Sequence, residues 1–408
     1  MSKNLYVLAL LSTLGLLGGC GGSSNSGSTP TSPVSPTQPS VTPALYTETN
    51  ATTGNSVLAY SRGSDGTLTT IGSVPTGANG AGLPTYSGAL PFPVGGATGA
   101  VRLSPDGTRL YAVDAGSADV AAFNVAADGS LTLIGRYPTG GTSPASITID
   151  STGTYLYVLN TGSVSSGANT PGGIAGFTIG TDGSLAPLSG STQPLSANAY
   201  VDPSEVAFSP DGTYLAATEK ATSLIDIYPV TAGVAGAPVS VASSGSIPFG
   251  FAFTPTGTMV VSNVESLTDV TASTVSSYSA TAAGAVTPIS SQVPDDQGGS
   301  CWVALTSDGA YAYVVNTLTG AISGYSIGTT GTLTLLTAGG ATASQANTTG
   351  PIDDVVTPDN AYLYVIDSNA GASPGTIAGF SIAANRSLTS VSTGVTGLLP
   401  GSIGLAVR

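Results

Sequence analysis

The 408-residue chain carries a formal charge of −14 from 22 acidic and 8 basic residues, has no His, and only 7% of it is charged. So sparse and acidic a chain excludes nucleic acid and anionic membrane surfaces as partners, and without His neither the usual zinc sites nor a Ser-His-Asp triad can be built. Abundant Gly, Thr, Ser, Val and Tyr predict many short strands and tight turns rather than long helices.

The chain opens on Met1-Ser2-Lys3, an apolar stretch from Leu5 to Leu17, and Leu17-Gly18-Gly19-Cys20. A positive start, an apolar centre and a small-residue cleavage site make residues 1–19 a secretory signal, too short for a spanning helix. The Leu-Gly-Gly-Cys ending resembles the bacterial lipobox, which implies acylation of Cys20 and a membrane contact through the lipid anchor alone. Gly21 in place of an acidic residue implies, by the same resemblance, the outer membrane of a Gram-negative envelope. From residue 20 to 43 the composition is that of a flexible Gly/Ser/Thr/Pro tether. With Cys20 acylated, Cys301 is left without a disulfide partner, so the body from residue 44 to 408 has to be held by packing.

That body repeats one phrase: an apolar strand, a Ser/Thr-Pro-Asp-Gly type turn, and a second strand ending in a polar residue. Val101-Arg102-Leu103-Ser104-Pro105-Asp106-Gly107 leads into Leu110-Tyr111-Ala112-Val113-Asp114, and Val206-Ala207-Phe208-Ser209-Pro210-Asp211-Gly212 into Leu215-Ala216-Ala217-Thr218-Glu219. Pro presets φ in such a turn, and Gly or Asn accepts the positive φ that closes it. Third strands such as Ile174–Ile179 and Ile377–Ile382 follow, then a turn such as Asp128-Gly129-Ser130 and a fourth strand such as Leu131–Ile134. Turn residues at 107, 153, 212, 257, 309 and 360 lie 45 to 59 apart, close to the spacing of propeller blades. Units begin near Ala100, Pro144, Pro203, Pro248, Cys301 and Pro351. A seventh is split: Ala44–Glu48, Ser56–Tyr60 and Leu68–Ile71 supply three strands, and Pro400–Val407 supplies the missing first one. The predicted fold is an all-β, seven-bladed propeller whose C-terminal strand closes the N-terminal blade. The Gly/Pro/Ala-rich stretch 78–99 is an insert between the first two blades.

In such a ring the starts of first strands and the ends of second strands share one face, where ligands usually meet the channel mouth. Second strands end in Asp114, Asn160, Glu219, Asn263, Asn316 and Asp367, with Thr49 and Asn50 in the closing blade. They are either a ligand-facing polar ring or polar residues that start loops. First strands add Arg102, Glu205, Phe249, Trp302, Asp353 and Asp354 as candidate ligand contacts. Trp302 is a packed core aromatic or a stacking platform. Lys220, next to Glu219 and fifteen residues beyond Glu205, completes a candidate catalytic set. Lactone hydrolysis needs a carboxylate to activate water and a cation to stabilise the oxyanion. Glu219 and Lys220 share one site only where the strand has ended, since successive strand residues face opposite sides; a solvated ion pair is the alternative. No cofactor is expected, and the one metal chemistry the composition allows is calcium, held by the Asp and Asn side chains that converge on this face or by Asp353-Asp354 or Asp295-Asp296.

The Ser-Pro-Asp-Gly-Thr-x-Leu-Tyr-Ala-Val and Asp-Gly-Ser-Leu phrases, with the split closing blade, resemble the bacterial lactonase family of seven-bladed propellers, which includes 6-phosphogluconolactonase and carboxymuconate-lactonising enzymes. Phrases such as Ala217-Thr218-Glu219-Lys220-Ala221-Thr222, Cys301-Trp302-Val303 and Gly350-Pro351-Ile352-Asp353 resemble an exported branch of that family. The resemblance implies a small lactone or sugar-derived ligand bound, and hydrolysed, at the channel mouth, with a non-catalytic envelope scaffold as the alternative. Family members use His and Arg beside a Glu at the channel. Here Pro203-Ser204 stands where a His commonly follows the Pro, leaving Glu205, Glu219, Lys220 and Arg102 as counterparts.

Overall fold

The computed structural model describes residues 41–82, 85–86, 93–94, 98–165, 168–196, 201–345, 350–368 and 374–408. The signal segment 1–19, Cys20 and the tether up to residue 40 lie outside the described residues, as does much of the insert 78–99. Among the described residues no helix is long and apolar enough to cross a membrane.

Seven antiparallel sheets form the ring. Blade 1 orders Leu68–Pro75, Ser56–Arg62, Ala44–Glu48 and Ile403–Val407 from rim to axis, so the C-terminal strand closes the N-terminal blade. The first strands of blades 2 to 7 are Val101–Leu103, Pro144–Ile149, Pro203–Phe208, Pro248–Phe253, Ser300–Leu305 and Pro351–Val356. Each pairs with its own second strand, as in Pro203↔Glu219 and Pro351↔Asp367. The starts of first strands and the ends of second strands therefore share one face, called here the start face. The turns joining the two strands form the opposite, turn face. In blades 3 to 7 the register shifts near the start of the first strand, for example between Pro203 and Val206 and between Pro351 and Asp353. Such a bulge re-aims the side chains beside it.

The core lies between blades. One apolar cluster joins Tyr46, Val57 and Ala59 of blade 1 to Leu110, Ala121 and Phe123 of blade 2, and another joins Tyr157 and Leu159 of blade 3 to Val206, Leu215 and Tyr228 of blade 4. A buried tyrosine in the second strand also donates its hydroxyl to a turn carbonyl of the next blade: Tyr46 to Gly129 (3.1 Å), Tyr111 to Gly183 (3.2 Å), Tyr157 to Gly233 (2.8 Å) and Tyr364 to Gly66 (2.9 Å). Gly66 has φ +85°, and a Cβ there would lie 2.5 Å from the ring of Tyr362, so the turn and the seam both require glycine.

Arg408 fastens the closing strand. Its guanidinium donates to the carbonyls of Thr42, Gly107, Ala126 and Ala127 at 2.7–3.3 Å, tying blade 1 to blade 2. Removing residues 401–408 strips blade 1 of its inner strand and exposes the edge of Ala44–Glu48. The expected result is rapid proteolysis within residues 44–75 and loss of a single cooperative thermal transition; an unchanged cleavage pattern would show that the ring closes without this strand.

Candidate functional site

First strands stand edge-on to the axis, so their inner N–H and C=O groups face the lumen with no strand to pair with. Side chains from the preceding blade take that place. The Oγ of Ser146 accepts from the Val206 amide (3.2 Å), Oγ1 of Thr148 from Phe208 (3.0 Å), Oε2 of Glu205 from Phe251 (2.8 Å) and Oδ2 of Asp353 from Leu405 (2.9 Å). Nε of Arg102 donates to the carbonyl of Ile147 (3.2 Å). Blades beginning with Pro144, Pro203, Pro248 and Pro351 remove one edge N–H at the outset.

This capping gathers charge at the axis. Nη2 of Arg102, from blade 2, lies 3.0 Å from Oε1 of Glu205, two blades on. The Glu205 side chain is 4% exposed and that of Arg102 40%, so the acid is buried and the cation opens to solvent. Gly99, at φ +75°, makes room for the guanidinium, since a Cβ there would meet Nη2 at 2.6 Å. Burial pushes the Glu205 carboxyl up to about 7 against the opposing pull of Arg102. Burial does the same to Asp353, also to about 7, with Arg102 again opposing and Glu205 adding to the rise. Asp354 is raised well above the carboxylate range by burial and by the neighbouring Asp353 and Glu205, against the opposing pull of the Ala304 backbone, and neither of its buried oxygens accepts a well-formed hydrogen bond. Glu205 and Asp353 therefore share the Arg102 cation, with Asp354 beside them.

The expected grouping of Glu205 with Glu219 and Lys220 is not the one the structure assembles. Glu219 accepts from the amide (2.8 Å) and hydroxyl (2.5 Å) of Ser196 and from the hydroxyl of Thr222. Burial and this same Glu219 push Asp226 up to about 7. Lys220 points the other way: its Nζ is 3.2 Å from Asp202 and 4.7 Å from the centre of the Phe249 ring. Phe249 in turn packs on Trp302 with centroids 5.0 Å apart, Trp302 being 1% exposed, in the arrangement of a packed aromatic. Cys301 beside it is buried, and burial pushes its thiol up to about 12, which rules it out as a nucleophile at neutral pH.

Residues ending second strands tie blades together. Hydroxyls just past the rim strand of one blade donate to the second-strand end of the next: Thr76 to Asp114 (2.7 Å), Thr139 to Asn160 (2.7 Å) and Ser196 to Glu219. Asp367 is buried as well. Among the described residues no three His, Cys, Asp or Glu side chains are arranged to hold a metal ion. A cleft of about 550 Å³ on the turn face, lined by Asp211, Pro255, Thr258, Ser279 and Ile289 among others, lies between blades and away from the charged cluster.

Among the described residues the start face is closed at the axis. Thr98 reaches from blade 2 to Ser204 of blade 4, its Oγ1 3.3 Å from both Oγ and O, and Ser204, Phe249, Cys301, Ile352 and Ile403 are 0–6% exposed. Exposure of the axis-facing residues rises toward the turn face, at Arg102, Ala207, Ala252 and Val355. The solvent approach to Arg102 is therefore from the turn face, the reverse of the expected mouth. Thr98 and Gly99 carry no sequence signal for this role beyond their place at the end of the insert.

Glu205 and Asp353 hold protons more tightly in the folded chain than ordinary carboxyls do. Their contribution to stability is full below the ordinary carboxylate range and is lost as pH rises through about 7. The melting temperature should fall between about pH 5 and pH 8, each group contributing at most about 1.4 kcal/mol per pH unit. Glu205→Gln should flatten that slope; a stability that rises over the same interval would contradict the assignment.

Residues 55–166 match the family model described as lactonase, 7-bladed beta-propeller. No curated protein matches the chain. Among solved structures, a Bacteroides fragilis protein provisionally described as a 6-phosphogluconolactonase is 21% identical, with 92% of this chain and 100% of that one covered and a TM-score of 0.62. A periplasmic gluconolactonase of Pseudomonas aeruginosa is 17% identical, covering 90% and 98%, with a TM-score of 0.63. Hydrazine synthase of Kuenenia stuttgartiensis is also similar, at 16% identity, 90% and 100% coverage and a TM-score of 0.52; at such identities the likeness is one of fold, and the fold serves unrelated chemistries. The ring is a lactonase-like seven-bladed propeller, with the family's sequence signature in residues 55–166.

Proposed function

We propose that this protein binds and hydrolyses a small lactone at the Arg102–Glu205 pair. One observation carries the reading: a solvent-reached guanidinium held 3.0 Å from a buried carboxylate whose pKa lies near neutrality. A base poised near the working pH is the most effective proton acceptor, and a fixed cation beside it suits the oxyanion of acyl transfer. In this scheme Glu205 takes a proton from water as its oxygen attacks the carbonyl carbon. Arg102 stabilises the oxyanion, and the Ile147 carbonyl holds the guanidinium in place. Collapse breaks the ring C–O bond, and the leaving alkoxide takes the proton back from Glu205, giving the hydroxy acid.

A second reading, a non-catalytic envelope scaffold, has its own support: Glu205 and Asp353 cap backbone amides just as Ser146 and Thr148 do. Activity separates the two. With the purified full chain and a panel of γ- and δ-lactones, Glu205→Gln should lower kcat/KM by about 10²-fold or more and Arg102→Ala by about 10²- to 10³-fold. The wild-type rate should rise with pH through about 7 as Glu205 ionises. Wild-type rates in both variants, or no turnover of any lactone, would favour the scaffold.

We also propose export and lipid anchoring in the envelope, at the outer membrane, on the strength of Leu17-Gly18-Gly19-Cys20 and Gly21. Cells fed a radiolabelled fatty acid should label the protein, and Cys20→Ala should abolish the label and leave the protein out of the membrane fraction; label retained in that variant would refute acylation at Cys20.

A further inference from the structure

The register fixes a second ring of side chains around the lumen, two residues nearer the turn face than the ring that holds Glu205 and Asp353. Arg102 pairs with Tyr111, Thr148 with Tyr157 and Val355 with Tyr364, so these residues occupy the same level in their blades. Ala207, Ala252, Ala304 and Ala406 occupy it in the other four, by pairing with Ala216, Val260, Tyr313 and Tyr46. Arg102 and Thr148 reach the inner edge of the next blade from this level, which sets the direction in which its side chains project. The level is thus one cation, one hydroxyl and five small apolar side chains. Ala207, Ala252 and Val355 are half-buried, whereas the level nearest the start face is sealed.

The lumen is therefore a passage open toward the turn face, walled by Ala and Val, and ending at the Arg102–Glu205 pair. Its five apolar side chains, unlike Arg102 and Thr148, offer no hydrogen bonds. A hydroxylated substituent lying against them would gain no partner, a loss that discriminates between otherwise similar ligands.

Building on the lactone reading above, we infer that the substrate is a lactone carrying an aliphatic tail, which enters from the turn face ring first and leaves its tail between Ala207, Ala252 and Val355. Water's oxygen forms the new bond to the carbonyl carbon and the ring C–O bond breaks, as before. The product is a hydroxycarboxylate with the tail intact, and its new charge faces Asp353.

The test compares γ-butyrolactone, γ-lactones with alkyl tails of increasing length, and glucono-δ-lactone on the full chain. The expected result is a kcat/KM that rises about three- to fourfold per added methylene until the passage is filled, with glucono-δ-lactone the poorest substrate. Ala252→Phe, which narrows the passage, should collapse the ratio of long-tail to tail-less kcat/KM, and the milder Ala252→Val should reduce it in part. Should Ala252→Phe fail to fold, the Val variant and the wild-type series still decide. A preference for glucono-δ-lactone, or a kcat/KM indifferent to tail length, overturns the tail inference while the lactone reading stands. Hydrolysis of none of these compounds overturns both.

Discussion

Seven strands brought edge-on to one axis leave a line of backbone amides and carbonyls with no neighbouring strand to bond them, and everything distinctive at the centre of this ring follows from how those groups are met. Side chains from the adjacent blade supply the partners: hydroxyls at Ser146 and Thr148, carboxyls at Glu205 and Asp353, a guanidinium at Arg102. A carboxyl recruited for this purpose is also desolvated, and that raises its affinity for a proton. The structural demand of closing a propeller thus places titratable groups at the axis before any ligand is considered.

Where the repeat is local, the sequence carried the architecture well. Turn phrases around Gly107 and Gly212 marked hairpins because Pro and Gly act on the backbone directly, and the split blade was legible because Ile403–Val407 has no blade of its own and the three N-terminal strands lack a first one. The site was legible only as a roster. Arg102, Glu205, Asp353 and Asp354 stood out by type and strand position, but their meeting depends on the shift in register near the strand starts and on Arg102 reaching two blades away, neither of which leaves a local mark. Adjacency misled in the opposite direction: Glu219 and Lys220 are neighbours in the chain whose side chains serve different contacts, one at the seam with Ser196 and one with Asp202 and Phe249. The sealed start face was hidden for a similar reason, since Thr98 reaches Ser204 across 106 residues.

Charge and polarity are distributed along the axis in a graded way. Aromatic packing of Phe249 on Trp302 and the buried Lys220–Asp202 pair consolidate one end. The acid cluster and its single cation occupy the middle, and small apolar side chains lead from there toward the turn face. A chain with so few charges places several of them within this short stretch, while many of its remaining acids, such as Asp65, Asp128 and Asp182, sit in exposed turns where hydrogen bonds from Thr67, Ser130 and Ser184 keep them ionised.

The pairing of Ala44–Glu48 with Ile403–Val407 has a consequence for the order of events in biogenesis. A contact between residues some 360 positions apart cannot form on a growing chain until nearly all of it has been made. Until then blade 1 has three strands, an open inner edge and an apolar face without its partner, and the most non-local contact in the molecule is also the one that completes it. During synthesis the ring therefore closes late, and in the interval before it the unpaired edge of Ala44–Glu48 is open to a chaperone or to the same edge of another copy.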